Sequence, residues 1–261
     1  MTTAEEKLFC KLAIKHGILT LDQVKECLKL RKREKSAKPL AIFLIEKGYL
    51  TDKKLQEILG IHQKNLQAFY ERGIQYKANK EYEKAVLDFT RVLKSDAYHI
   101  EALLSRGNAY IGLEEYENAL ADFTQVVELE PRNAVAYTNR GLVYNYLGEL
   151  DNAIADFDRA IELDSKYAKA YYCRGVTYHL KKEYRKALKD YDKALALEGN
   201  MAEAYNNRGV IHSLFRRYEK AKEDWERALE IDPNFASVEK NLEILTNYLE
   251  RIKTPEDLSE K

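Results

Sequence analysis

The sequence predicts an all-α protein, a solenoid of paired helices preceded by a small helical module. Three observations predict this. Chain breakers are scarce, with 11 Gly and 4 Pro in 261 residues. Charged residues make up 33% of the chain, above the ~25% of an ordinary domain, which favours helices with solvated faces. Most tellingly, a set of residues recurs at a step of 34: Arg72-Gly73, Arg106-Gly107, Arg140-Gly141, Arg174-Gly175 and Arg208-Gly209. Each Gly is followed at fixed distances by Ala85, Ala119, Ala153, Ala187 or Ala221, then by Asp88-Phe89, Asp122-Phe123, Asp156-Phe157, Asp190-Tyr191 or Asp224-Trp225.

Residues 1–62 stand outside this period and carry a weaker duplication at an offset of 31. Ile14/Ile45, Gly17/Gly48, Leu19/Leu50, Thr20/Thr51, Glu26/Glu57 and Leu28/Leu59 coincide. Gly17 and Gly48 suit a left-handed helix stop. Thr20 and Thr51 suit the next N-cap, and Thr20 with Gln23 forms a capping box. Pro39 suits the first turn of a third helix. The reading is four short helices in two hairpins, with a junction near Gly60. The Gly steps and Leu spacing loosely resemble the N-terminal module of type IV pilus and type II secretion assembly ATPases. Some such modules bind cyclic-di-GMP, and that resemblance implies an alternative function, an adaptor whose groove responds to a cyclic dinucleotide. The residues expected to carry the contacts differ here: Leu8-Phe9-Cys10 and Pro39-Leu40-Ala41 replace the Arg and Gly positions, and Arg31 and His62 replace the terminal Gln. A packing or docking role is therefore expected.

Over 66–235, placing each Gly eighth divides the chain into 66–99, 100–133, 134–167, 168–201 and 202–235. Gly at position 8 and Ala at position 20 remove side chain where two antiparallel helices cross. Aromatics at 11, 17 and 24 fill the space beside the crossing. A single pair leaves an apolar face open, so neighbours must stack. The period and these residues resemble the tetratricopeptide repeat. That resemblance implies a right-handed superhelix. Position 11 reads Tyr76, Tyr110, Tyr144 and Tyr178 but His212 in the fifth copy; the family's late proline is kept only at Pro131 and Pro233. Arg at 7 and Asp at 23 lie level across the hairpin and also across the next turn. They form an expected structural ion-pair ladder, within or between repeats.

Residues 236–251 place Val238, Leu242, Leu245 and Leu249 on one face and charges on the other, as a helix capping an open solenoid end does. Thr254-Pro255 stops it, and 252–261 is a tail.

The family resemblance also implies that the first helix of each pair lines a groove, with positions 2, 5, 6, 9, 12 and 13 facing inward. The candidate partner-binding residues are Tyr70, Lys77, Asn108, Thr138, Asn139, Asn145, Lys169, Tyr172, His179, Asn206 and Asn207. Amides donate and accept, which suits a peptide backbone. Asn108, Asn139, Lys169, Tyr172 and Asn206 are expected to form one stripe holding an extended peptide. The carboxylate clamp of some relatives is only partly present, since Leu104 and Cys173 replace two cations.

No catalytic constellation emerges. The five His show no metal spacing, and neither a Gly-rich phosphate loop nor a nucleophile elbow is present. An enzyme is not expected, nor is a cofactor or metal. Net charge is +0, which implies no nucleic-acid partner. A net +6 over 1–65 is offset by −6 beyond it, and the basic run from Lys29 to Lys38 reads as a solvated helix end. The apolar run Leu40–Ile45 is far short of the ~20 residues that span a bilayer. Cys10, Cys27 and Cys173 make no disulfide framework, which fits a reducing cytoplasm. The expectation is a bacterial, cytoplasmic scaffold or adaptor with a protein or peptide partner.

Overall fold

The computed structural model describes residues 3–252, and among these there are fourteen α-helices and no strand. The tail expected over 252–261, with its Thr254-Pro255 stop, lies outside the described residues save Ile252, which ends the last helix. The chain divides into two compact units, one ending at Leu113 and the other beginning at Glu114.

The first unit holds α1 (Ala4–Lys15), α2 (Leu21–Arg33), α3 (Leu40–Glu46), α4 (Asp52–Ala78), α5 (Tyr82–Leu93) and α6 (Ile100–Gly112). The 31-residue duplication is visible as one backbone step made twice. Gly17 and Gly48 have φ of 69° and 76°. After each, two amides turn back onto a single earlier carbonyl: Ile18 and Leu19 onto Ala13, Tyr49 and Leu50 onto Leu44. Thr20 and Thr51 then cap the following helices. Pro39 is the N-cap of α3. The core of this part is Ala13, Leu19, Val24, Cys27, Leu40, Phe43, Leu44, Leu50 and Ile58.

The junction expected near Gly60 is not a break. Gly60 lies inside α4, which runs unbroken from Asp52 to Ala78. Gly17 and Gly48 are each followed three residues later by a capping Thr; Gly60 is followed by Ile-His-Gln, which offers no new N-cap. One helix therefore carries Ile58 in the front core and Gly73 in the first repeat.

The second unit holds α7 (Tyr116–Leu129), α8 (Ala134–Tyr146), α9 (Leu150–Leu163), α10 (Ala168–Leu180), α11 (Tyr184–Leu197), α12 (Ala202–Leu214), α13 (Tyr218–Ile231) and α14 (Ala236–Ile252). Helix pairs α8/α9, α10/α11 and α12/α13 are its repeats. Within each pair the position-24 ring fills the space that a Cβ at position 8 would take. A Cβ on Gly141 would stand 2.8 Å from Phe157, on Gly175 2.8 Å from Tyr191, and on Gly209 2.8 Å from Trp225. In the first unit Gly73 meets Phe89 in the same way. The position-20 alanines are fully buried.

The position-11 tyrosines pack at the margin of the repeat cores, Tyr76, Tyr144 and Tyr178 against the buried clusters. Tyr76, Tyr110, Tyr144 and Tyr178 are half-buried, and each lies beneath the guanidinium of its own repeat's Arg at 5.8–6.0 Å. Each turn between paired helices needs a left-handed residue at position 15. Lys80, Glu114, Gly148, Lys182 and Arg216 all take it, with φ from 56° to 77°.

Helix α14 packs as one more first helix. Val238 and Leu245 are buried against Ala221, Trp225 and Ala228, with Leu242 and Leu249 beside them. Among the described residues no helix is long and apolar enough to cross a membrane.

Candidate partner-binding surface

The Arg–Asp ladder is a frame that holds the helices at fixed spacing. Arg72–Asp88, Arg140–Asp156, Arg174–Asp190 and Arg208–Asp224 each close within one repeat through two parallel hydrogen bonds of 2.6–3.0 Å. From Arg106, Arg174 and Arg208 a further guanidinium nitrogen reaches position 25 of the preceding repeat. Arg106 donates to Thr90 Oγ1 at 3.1 Å, Arg174 to Asp158 at 2.5 Å, and Arg208 to Asp192 at 2.7 Å. The alternative pairings are thus resolved for Asp at 23. The inter-repeat partner is a residue that the spacing argument did not single out. Each Asp at position 23 is nearly sealed from solvent; the Asp88 side chain is 2% exposed. The Arg72 guanidinium holds the Asp88 carboxyl below the usual carboxylate range, against the opposing effect of burial.

The candidate residues of the first unit are half-buried. Tyr70 stacks on His99 at 5.5 Å, burial pushes the Lys77 ammonium down, and Asn108 lies on α6. In the second unit the candidates divide. Thr138 and Asn139 are buried, and the Thr138 hydroxyl donates to the Ala134 carbonyl at 2.9 Å. Asn139, expected to face a ligand, is only 4% exposed. Lys169 is exposed. His179 is half-buried edge-on to Tyr184 at 5.6 Å, and burial lowers its pKa. Burial pushes the Tyr172 hydroxyl up to about 12.

Three of the amides expected to bond a peptide backbone, Asn145, Asn206 and Asn207, bond side chains of neighbouring helices instead. Asn145 Nδ2 donates to Thr177 Oγ1 at 2.8 Å, and that hydroxyl donates to the Cys173 carbonyl at 2.9 Å. Asn207 Nδ2 donates to the Tyr172 hydroxyl at 3.4 Å, and Asn241 Nδ2 donates to Asn206 Oδ1 at 3.3 Å. These contacts stitch α8 to α10, α10 to α12, and α12 to α14, so four first helices stand side by side. Tyr172, Asn206 and Asn207 are brought together. Asn241 joins them, although nothing in the repeat consensus marks α14 as a continuation.

The front module spends its best anion-binding groups internally. Glu6 takes both nitrogens of Arg31, at 2.7 and 3.3 Å, and accepts the Leu40 amide at 2.9 Å. A carboxylate thus sits at the start of α3, and Arg31 is paired and not part of a free basic run. All three cysteines are free and buried, and burial pushes the Cys173 thiol up to about 11. Among the described residues no cluster of His, Cys, Asp or Glu could hold a metal ion.

Family models of the TPR repeat match residues 107–148 and 141–182, and of the tetratricopeptide repeat 168–201 and 202–235. Among solved structures, MamA is 27% identical, with a TM-score of 0.53 over 63% of this chain and 96% of its own. A thermophilic TPR protein of Thermus thermophilus is 24% identical, with a TM-score of 0.61 over 69% of this chain and 98% of its own. YrrB, described as a TPR protein with an unusual peptide-binding site, is 20% identical, with a TM-score of 0.52 over 71% of this chain and 96% of its own. At the two lower identities the likeness is one of fold. No curated protein matches the chain.

Proposed function

Because this chain is a tetratricopeptide repeat protein, we propose that it is a non-enzymatic scaffold whose second unit holds a segment of a partner protein along its first helices. Protein–protein interaction is the general role of such repeats; the surface used here is the specific part of the reading. One observation carries it. Side-chain hydrogen bonds join α8, α10, α12 and α14 into a continuous, pre-ordered face. A face already fixed loses little freedom when a ligand arrives, and that raises affinity. Lys169 and Glu203 stand exposed on it, with Tyr172 half-buried between α10 and α12. Tyrosine supplies apolar area with a polar tip, which suits an anchor.

The cyclic-dinucleotide alternative has no comparable support, because Glu6 occupies the α3 N-terminus and neutralises Arg31. The test is co-purification of binding partners with the full chain and with a Lys169→Glu/Tyr172→Ala variant. Loss of a specific partner from the folded variant supports the reading. Retention of every partner counts against it.

A further inference from the structure

A file of exposed apolar side chains runs through the second unit at the repeat's own step. Tyr146 on α8, Leu180 on α10, Leu214 on α12 and Tyr248 on α14 lie 34 residues apart. They are 52, 56, 56 and 43% exposed. Phe215 and Ile244 widen the file, at 40 and 57% exposed. In the first unit the same repeat position is Gly112, and the Tyr82 ring lies over it at 2.6 Å from where a Cβ would be.

The file is braced from behind. Tyr116 stacks on Tyr146 at 5.0 Å, Tyr218 meets Tyr248 at 5.4 Å, and Tyr184 meets Phe215 edge-on at 6.1 Å. Between Leu214 and Tyr248 the surface dips into a groove of about 400 Å³ with Val210, Tyr218 and Ile244 in its walls. Cations border this end. Lys182 and Arg216 are exposed in the turns that follow Leu180 and Leu214. The unit's ion pairs engage other cations, among them Arg174, Lys181, Lys186 and Arg208.

We propose that this file receives an acidic amphipathic α-helix of a partner protein, its apolar residues one heptad apart on Tyr146, Leu180, Leu214 and Tyr248, its carboxylates facing Lys182 and Arg216. The proposal rests on the reading that the first helices of the second unit form the partner surface, and it names the partner's chemistry. The step of the file selects a helix. Packed neighbouring helices stand about 8–10 Å apart. An α-helix advances about 10 Å in ~7 residues and returns the side chain to the same face. An extended chain also covers about 10 Å in ~3 residues, but an odd step turns the side chain to the opposite face. Three amides that could have bonded an extended backbone, Asn145, Asn206 and Asn207, are already engaged with neighbouring helices. Charge selects the sign, since exposed cations beside an apolar seat favour carboxylates and disfavour lysines.

The experiment uses the full chain and a fluorescent synthetic peptide with leucine at heptad spacing flanked by glutamate. Two controls accompany it, the same composition interrupted by prolines, and the heptad peptide with lysine for glutamate. The heptad peptide should bind saturably, and Leu180→Ser/Leu214→Ser should weaken it by about tenfold or more, as loss of central anchors does. Lys182→Glu/Arg216→Glu should weaken it too and reverse the preference toward the lysine peptide. Glu114 already occupies the equivalent left-handed turn position, so those variants keep their backbone. The inference is overturned if the proline peptide binds as well as the heptad peptide, if the heptad peptide does not bind, or if light scattering shows that Leu214→Ser merely breaks a self-associated form. Those outcomes leave the scaffold reading standing; its own failure would show in partner retention by the Lys169/Tyr172 variant.

Discussion

Arg174 closes on Asp190 through two hydrogen bonds of 2.7 Å each, and the same guanidinium reaches Asp158 of the preceding repeat at 2.5 Å. One side chain therefore fixes both the hairpin and the stacking of two hairpins. The two acids differ in burial, with side chains 5% and 48% exposed. Removing the arginine strands a buried carboxylate, so Arg174→Met should cost about 3–5 kcal/mol. Asp158→Ala removes only an exposed partner and should cost about 1 kcal/mol or less. Denaturant melts of the two variants check the contrast; equal losses would argue against the ladder as the frame.

The Arg72–Asp88 pair predicts acid sensitivity. Asp88 is held below the ordinary carboxylate value of ~3.9 by Arg72 foremost, then by Arg91. The unfolded chain therefore takes up the proton first as pH falls. The pair's contribution is whole above the unfolded value and is lost as pH falls through the lower folded value. Asp88→Asn should flatten the stability profile in that acid window and leave its shape at neutral pH unchanged. Melting curves across the acid range test this, and an unaltered acid slope in the variant would contradict it.

Gly141 predicts an overpacking cost. A methyl group there would stand 2.8 Å from the Phe157 ring, which is fully buried and has nowhere to move. Gly141→Ala should cost about 1–3 kcal/mol, and Gly141→Leu more. Repeats couple mainly to their neighbours, so hydrogen exchange should rise in α8 and α9 and in the helices packed on them. Unchanged protection there would refute the close crossing.

Glu6 predicts the behaviour of the front module. Its carboxylate satisfies Arg31 and the Leu40 amide together. Glu6→Gln should destabilise the module by about 1.5–3 kcal/mol, the range for a hydrogen bond to a charged group. The unaltered chain should show no measurable affinity for cyclic-di-GMP by calorimetry. A micromolar isotherm, abolished by changes around Phe9-Cys10 or Leu40-Ala41, would reverse this conclusion.

What was legible in the sequence follows from what repeats. Gly73, Gly141, Gly175 and Gly209, their facing rings and the Arg–Asp pairs recur at one step, and a feature present in every copy must serve every copy. The left-handed turn position was hidden because only Gly148 among five residues advertises it; the hairpin geometry imposes it on Lys80, Glu114, Lys182 and Arg216 regardless. The position-25 partners were hidden because that position is not constant: Thr90 gives way to Asp158 and Asp192, and what they share is an acceptor oxygen. The continuity of α4 escaped because Gly60 reads as a breaker, and only the missing N-cap after it says otherwise. Burial of Asn139 and the bonds of Asn145, Asn206 and Asn207 depend on neighbouring helices, which local pattern does not encode. The apolar file differs: Tyr146, Leu180, Leu214 and Tyr248 do recur, but recurring apolar residues read equally well as core, and their exposure follows only from the packed helices.

The most direct test of the scaffold account is site-specific photo-crosslinking in the cell of origin. A photoreactive amino acid replaces Lys169 or Leu180 on α10, Lys189 on α11, or Leu21 on α2, all exposed positions. The account predicts that the two α10 positions yield the same discrete adduct, while Lys189 and Leu21 yield none of it. Adducts formed from Leu21 and absent from α10 would move the binding site to the front module and reduce the repeats to a spacer.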